Sequence, residues 1–387
     1  MAFLLGYTNK FGGYVEIRRS KLPVLAPQAD QEDIDAVSDV LKSSWWGKGP
    51  KVAEFEKKFA EMVGAKYAVA VTSSSIGQDL VFKALGIKNV DVISPTISFM
   101  TTAAVPLWND CTSTLVDINV NDLNISVESV KANVSKRTKA LIVVNYAGVP
   151  ANIPAIREVF DGFILEDCAH SCYTEGAGRQ GDAAVWSFQA VKTMPTGDGG
   201  MITTDDPDLY EKLLPLTWLG ISSTYSRFAN GEKSLSEKPG LAWDYDVEVL
   251  GYKAYMIDLT AALGLSQLKK LPTNLVWRRH VQSEYNSRLT PEITRPVWSE
   301  TVQMYTARIS ARVREEFMDY LSSKNIHTSV HYKPLHLHPI NKNQRAIFPN
   351  AEAEWPRMVT LPCHNGMTQE DIDYVIYWIN KFYEERK

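Results

Sequence analysis

Residues 162–200 read GFILEDCAHSCYTEGAGRQGDAAVWSFQAVKTMPTGDGG, and this stretch decides the fold. A short apolar run, Phe163–Leu165, ends on the acidic pair Glu166-Asp167. A second run, Ala183–Phe188, follows a glycine-rich turn and leads to Lys192 in a nearly apolar frame. Gly197, Gly199 and Gly200 then surround Asp198. Buried strands that deliver polar groups at their carboxyl ends are how open α/β sheets build a site. An acid at one strand end and a lysine after the next suits Schiff-base chemistry on an electron-poor ring. Taken singly, a lysine is usually a solvated surface charge and a strand-end Asp usually a turn residue. The combination is what points to a site.

Working outward, short β-type runs at Tyr67–Val71, Val90–Ser94, Thr114–Asp117, Ala140–Val144 and Met201–Thr204 punctuate the chain. Most are followed by helix-compatible segments of the length a right-handed βαβ crossover requires. Asp30 is placed to cap a helix over about Gln31–Lys42, with Ile34, Val37 and Leu41 as its apolar face. Val52–Met62 is amphipathic. Tyr67–Val71 delivers Thr72-Ser73-Ser74-Ser75 to a helix from about Ile76 to Leu85, either a phosphate cradle or a plain serine cap. Asp206 opens a helix to Leu214, and Gly220–Leu241 reads as a long polar surface loop. Asp258–Leu271 is helical, Pro272 separates it from a charged helix at about Leu275–Leu289, and Thr368 with Asp371 caps a last helix to Glu384. Val302–Ser310 is strand-like and Val313–Ser322 helical.

At 387 residues the chain can hold two lobes, and its 45% hydrophobic and 22% charged content is ordinary for a globular enzyme. A net charge of −4 gives no footprint for nucleic acid. No run spans a membrane and none reads as an export signal, so the expected place is the cytosol. Cys111, Cys168, Cys172 and Cys363 are too few for a disulfide framework. Cys168 and Cys172 flank His170, but with no second pair they read as buried thiols rather than metal ligands. Four of the seven histidines fall within residues 327–338 without carboxylate support for zinc. No metal is expected.

EDCAHS, GDAAVWSFQAVK and TGDGGMITTDD, in that order, resemble the core of the DegT/DnrJ/StrS-type sugar aminotransferases. WGKGPKVAEFEKKFAEMVGAKYAVAVTS, DVEVLGYKAYMIDLTAALGLSQLKKL and VHYKPLHLHP extend the resemblance along nearly the whole chain. It implies fold type I of the enzymes that use pyridoxal 5'-phosphate (PLP): an α/β three-layer sandwich on a mainly parallel mixed sheet, with a small C-terminal α+β domain. The expected division is an extension at 1–22, a large cofactor-binding domain at 23–260 and the small domain at 261–387.

By the same resemblance Lys192 is the cofactor lysine and Asp167 pairs the pyridine nitrogen. His170 falls near the ring hydroxyl, Ser187 and Ser74-Ser75 at the phosphate, Phe99 on the ring face, and His331 near the sugar. Ser74 and Ser75 depart from the family's Gly-Thr, keeping donors but losing glycine's freedom. Lys253 stands where relatives carry an Asn that reaches the phosphate in a neighbouring subunit; a lysine can meet a phosphate as a point charge. The implied reaction is amino transfer, with glutamate as donor, to a nucleotide-linked keto sugar. A homodimer and a role in amino-sugar or polysaccharide biosynthesis go with it. A dehydratase, which replaces the lysine by histidine, is disfavoured by Lys192; a cofactor-binding sensor is the alternative of another class.

Overall fold

The computed structural model describes residues 16–221, 246–247, 249–344 and 346–386, with the antiparallel strand pair β1 (Tyr7–Thr8) and β2 (Tyr14–Val15). The expected loop at Gly220–Leu241 lies almost wholly outside the described residues, as does most of 1–15. Residues 18–22 lie on the body: Leu22 is buried beside Ile326, and Arg18 pairs with Asp371.

Seven strands form the central sheet: β3 (Tyr67–Val71), β4 (Asp91–Pro95), β5 (Thr112–Val116), β6 (Thr138–Val144), β7 (Phe163–Asp167), β8 (Ala183–Ser187) and β9 (Gly200–Thr204). Their order is β3-β9-β8-β7-β6-β4-β5. The pairings β8-β7-β6-β4-β5 are parallel, and β9 runs antiparallel to both β8 and β3. Two antiparallel steps restore the direction, so β3 points the same way as β8. The carboxyl ends of β3, β4, β6, β7 and β8 therefore open on one edge. Near-continuous burial along β6 to β9 matches a sheet covered on both faces.

Covering and connecting helices are α1 (Gln31–Ser43), α2 (Pro50–Val63), α3 (Ser74–Leu85), α4 (Thr101–Trp108), α5 (Val127–Asn133), α6 (Ile153–Arg157) and α7 (Pro207–Leu216). Asp30 caps α1 through a capping box, as its position predicts. The expected apolar face of α1 is not the buried one. Ile34 and Leu41 are 55% and 46% exposed, while Asp33 and Val40 face inward. Asp33 turns in because Lys270 Nζ and Gln267 Nε2 reach its Oδ2 at 2.8 and 3.0 Å. A buried, paired carboxylate outranks two isolated aliphatics.

A second correction concerns Pro272. The two helices expected on either side of it are one, α8 (Asp258–Arg288), with the proline inside. Proline removes one backbone hydrogen bond, but packing on both sides holds the axis. Leu265, Leu271 and Leu275 join the core beneath α2, and Val281 and Tyr285 join a separate C-terminal core. That second core gathers β10 (Tyr305–Arg308), β11 (Met358–Leu361), α9 (Arg314–Ser323) and α11 (Gln369–Glu384), with Phe317 and Trp378 fully buried. Between α9 and β11 lies α10 (Pro349–Glu354). Among the described residues no helix is long and apolar enough to cross a membrane.

Candidate active site

A cavity of about 440 Å³ opens along the strand ends, lined by Ser74, Ser75, Phe99, Asp167, His170, Ser187, Lys192 and His331 among others. Eight of the nine expected site residues thus meet in one place. A wider hollow of about 640 Å³, along Lys83, Trp108 and Leu250, holds none of them.

Asp167 is the last residue of β7 and 5% exposed. Its Oδ2 accepts from Gln78 Nε2 at 2.9 Å and its Oδ1 from the Ala169 N–H at 3.0 Å. Burial raises its pKa; the Ala169 N–H, the Lys192 charge and Gln78 pull the other way.

Lys192 sits in the tight connection between antiparallel β8 and β9. Thr196 N–H donates to Phe188 O at 2.8 Å, Ala190 N–H to Gly197 O at 2.9 Å, and Lys192 N–H to Gln189 O at 2.8 Å. The lysine chain is half-buried and opens on the cavity. Burial lowers its pKa to about 8, and the charge of Asp167 pulls it partly back up. An amine so placed is still mostly protonated at pH 7 but is neutral far more often than an ordinary lysine, and the neutral form is what nucleophilic attack on a carbonyl requires.

His170 is 5% exposed, and burial holds its pKa well below the usual 6.5. The Ala147 N–H donates to its Nδ1 at 3.3 Å, which assigns the proton to Nε2, 3.2 Å from Tyr332 Oη. Phe99, 60% exposed, presents its ring to the cavity, 6.0 Å from Tyr332.

Ser73 caps α3, its Oγ accepting from the Ile76 N–H at 3.3 Å, so Ser74 and Ser75 form the first turn. The helix thus starts two residues before the position expected from the pattern, because the cap falls on the first serine after the strand-end Thr72. Ser74 and Ser75 line the cavity at the start of the helix, where hydroxyls and first-turn N–H groups suit an anion. Gly200 makes room for this cradle: a Cβ there would meet Ser73 C and Ser74 N at 2.6 Å.

Lys253 does not line the cavity. It is exposed, with Nζ 5.6 Å from the Trp218 ring centroid. Its neighbour Ala254 nonetheless runs beside the cradle, accepting from the Thr72 N–H at 2.8 Å. Of the histidine-rich segment, His331 faces the cavity and its Nδ1 meets Thr360 Oγ1 at 2.9 Å. His336 instead stacks on Phe348 at 4.0 Å and joins Thr96 Oγ1 at 2.6 Å, tying the segment to the loop that bears Phe99. All four cysteines are buried free thiols.

Residue patterns missed Gln78, Thr101 and Tyr332. Gln78 is a fully buried amide next to buried Asp79 in α3, and its partner Asp167 lies 89 residues away, so no local pattern marked it. Tyr332 follows His331 directly, and Thr101 Oγ1 meets Ser75 Oγ at 2.7 Å.

An acid beneath, a neutralisable amine at the side, an exposed aromatic face and a hydroxyl-lined anion cradle fit the ring nitrogen, aldehyde, ring face and phosphate of PLP. Fold and cavity define a fold-type-I PLP enzyme. Comparison with known proteins agrees. SpsC of Bacillus subtilis (strain 168), a spore coat polysaccharide biosynthesis protein, is 37% identical over 386 residues, covering 94% of this chain and 97% of that protein. The aminotransferase TlmJ from Streptoalloteichus hindustanus superposes with a TM-score of 0.87 at 27% identity, over 95% of this chain and all (100%) of that one. DesI, crystallised with its TDP-sugar product, gives 0.82 at 25% identity, over 96% of each chain. Residues 27–380 match the DegT/DnrJ/EryC1/StrS aminotransferase family, to which this chain belongs. It is a PLP-dependent aminotransferase.

Proposed function

We propose that this enzyme transfers an amino group from glutamate to a keto sugar carried on a nucleotide. The observation that carries the reading is Lys192, with its pKa lowered to about 8, facing buried Asp167 across one cavity. Bound there, PLP would supply an electron sink for the donor's α-carbon. Lys192 would hold the cofactor through its amine and, when that amine is free, would act as the general base and acid that moves the donor's α-proton. Asp167 would keep a proton on the ring nitrogen. Phe99 would lie against the ring, His170 would meet the ring hydroxyl, and Ser74, Ser75 and Ser187 would hold the phosphate. His331, at the cavity wall, contacts the sugar.

Support for a nucleotide-linked sugar comes from DesI and its TDP-sugar product, and for a polysaccharide pathway from SpsC. We extend the reading to a homodimer of this chain. Exposed Lys253, whose neighbour borders the cradle, then reaches the phosphate bound by the partner subunit. The lobes we assign are 23–260 and 261–387, with α8 running from one into the other.

The test is incubation of the enzyme and PLP with glutamate and a set of nucleotide-linked keto sugars, followed by mass spectrometry. One amino sugar with matching 2-oxoglutarate is expected. Release of 2-oxoglutarate with no aminated sugar, in any of the set, counts against the acceptor.

A further inference from the structure

We infer that Gln303 is a positioning residue for Lys192, setting the lysine's place in the cavity from the C-terminal half of the chain. Gln303 Nε2 donates to the Val191 carbonyl at 3.0 Å, and Gln303 Oε1 accepts from the Thr193 N–H at 3.1 Å. One side-chain amide therefore grips the residues on both sides of Lys192. It satisfies the peptide groups as a neighbouring strand would. Both bonds are enclosed, since Gln303 is 2% exposed and Thr193 3%.

Gln303 is itself anchored. Arg278 of α8, 1% exposed, donates through one Nη1 to the carbonyls of Val302, Gln303 and Cys363 at 3.1, 3.3 and 3.0 Å. Two residues earlier, Thr301 Oγ1 reaches the Cys172 carbonyl at 3.0 Å and also bonds Thr174. Cys172 and Thr174 belong to the loop that follows Asp167 and His170. The segment before β10 thus ties down both the connection that carries Lys192 and the loop that follows Asp167. Gly148 allows the close approach, since a Cβ there would meet Ser299 Oγ at 2.5 Å and Thr301 Cβ at 3.1 Å.

A lysine has four rotatable side-chain bonds, and its reach depends on where its Cα is held. Without the amide, the Val191 carbonyl and Thr193 N–H lose buried partners, and the connection moves to hydrate them. Lys192 then leaves its burial, which is the source of its lowered pKa.

Q303M keeps the side chain's length and removes its hydrogen bonds. The full-length protein, freed of cofactor, is treated with an amine-reactive acylating reagent across a pH series, and Lys192 is followed by peptide mass spectrometry. In the native enzyme the labelling midpoint falls near 8; in Q303M it rises towards the ordinary lysine value of 10.5. PLP attachment in Q303M slows by roughly 10- to 100-fold, the cost of a misplaced reacting group. A variant that folds with an unmoved midpoint and attachment rate overturns the inference. Amide hydrogen exchange on the native protein checks it without any mutation: the Thr193 amide exchanges slowly, and exchange at the rate of a free amide contradicts the bond. The inference rests on the role of Lys192 proposed above. Failure of the native enzyme to take up PLP would sink that role, while labelling and exchange are read without cofactor.

Discussion

Gln78 donates a hydrogen bond of 2.9 Å to the Asp167 carboxylate, joining the first turns of α3 to the end of β7. The bond favours the ionised acid against the burial that raises its pKa. Gln78→Leu removes the donor, so the acid titrates higher and pairs less strongly with a protonated ring nitrogen. We expect PLP affinity to fall roughly tenfold, the worth of one hydrogen bond to a charged group. Stability should change little, because the Gln78 Oε1 is itself buried without a partner and the leucine removes that orphan too. Cofactor titration followed by fluorescence, beside a melting curve, checks both halves.

The lysine sets a pH dependence. Lys192 is protonated below about 8 and neutral above it. Attachment of PLP to the cofactor-free protein should accelerate as pH rises from 6.5 and level off above about 8. Stopped-flow absorbance gives the profile. A rate flat across that range would contradict the lowered pKa.

Gly200 tests the anion cradle. A Cβ at this position would press on Ser73 and Ser74 backbone at 2.6 Å, atoms that cannot yield without moving the first turn of α3. Gly200→Ala should cost about 1–3 kcal/mol of stability and weaken binding of PLP more than of pyridoxal. The ratio of the two affinities, measured by calorimetry, separates damage at the phosphate end from general loss of fold.

His364 governs part of the acid limb of stability. It is 3% exposed, and burial, then the Arg278 charge, lower its pKa to about 4 from 6.5. Between those values the unfolded chain binds the proton and the folded one does not, so stability rises with pH across that window and is lost on acidification. The slope is about 1.4 kcal/mol per pH unit for a single such group. In His364→Leu that contribution vanishes, and urea midpoints between pH 6.5 and about 4 should decline less steeply than in the native protein.

What the sequence discloses is what local pattern controls. Apolar runs that end on Asp167 and Ser187, and three serines after Val71, mark strand ends and a helix start with no knowledge of the fold. The inward turn of Asp33 is another matter, because its partner Lys270 lies 237 residues away. Pro272 signals a break by its own chemistry, and only packing on both halves of α8 overrules it. Gln78 and Gln303 carry no local mark of function; their partners lie 89 and 110 residues distant. The role we propose for Lys253 rests on the proposed homodimer and has no local mark in the sequence.

The central claim, that Lys192 and Asp167 operate PLP on an amino donor, is tested most directly by visible absorption. Native protein with added PLP should show a band from the lysine-bound cofactor, and glutamate should bleach it to the pyridoxamine form. Lys192→Ala should form no such band. A native band that glutamate leaves unchanged would contradict the proposed donor, and the same band in Lys192→Ala would contradict the claim itself.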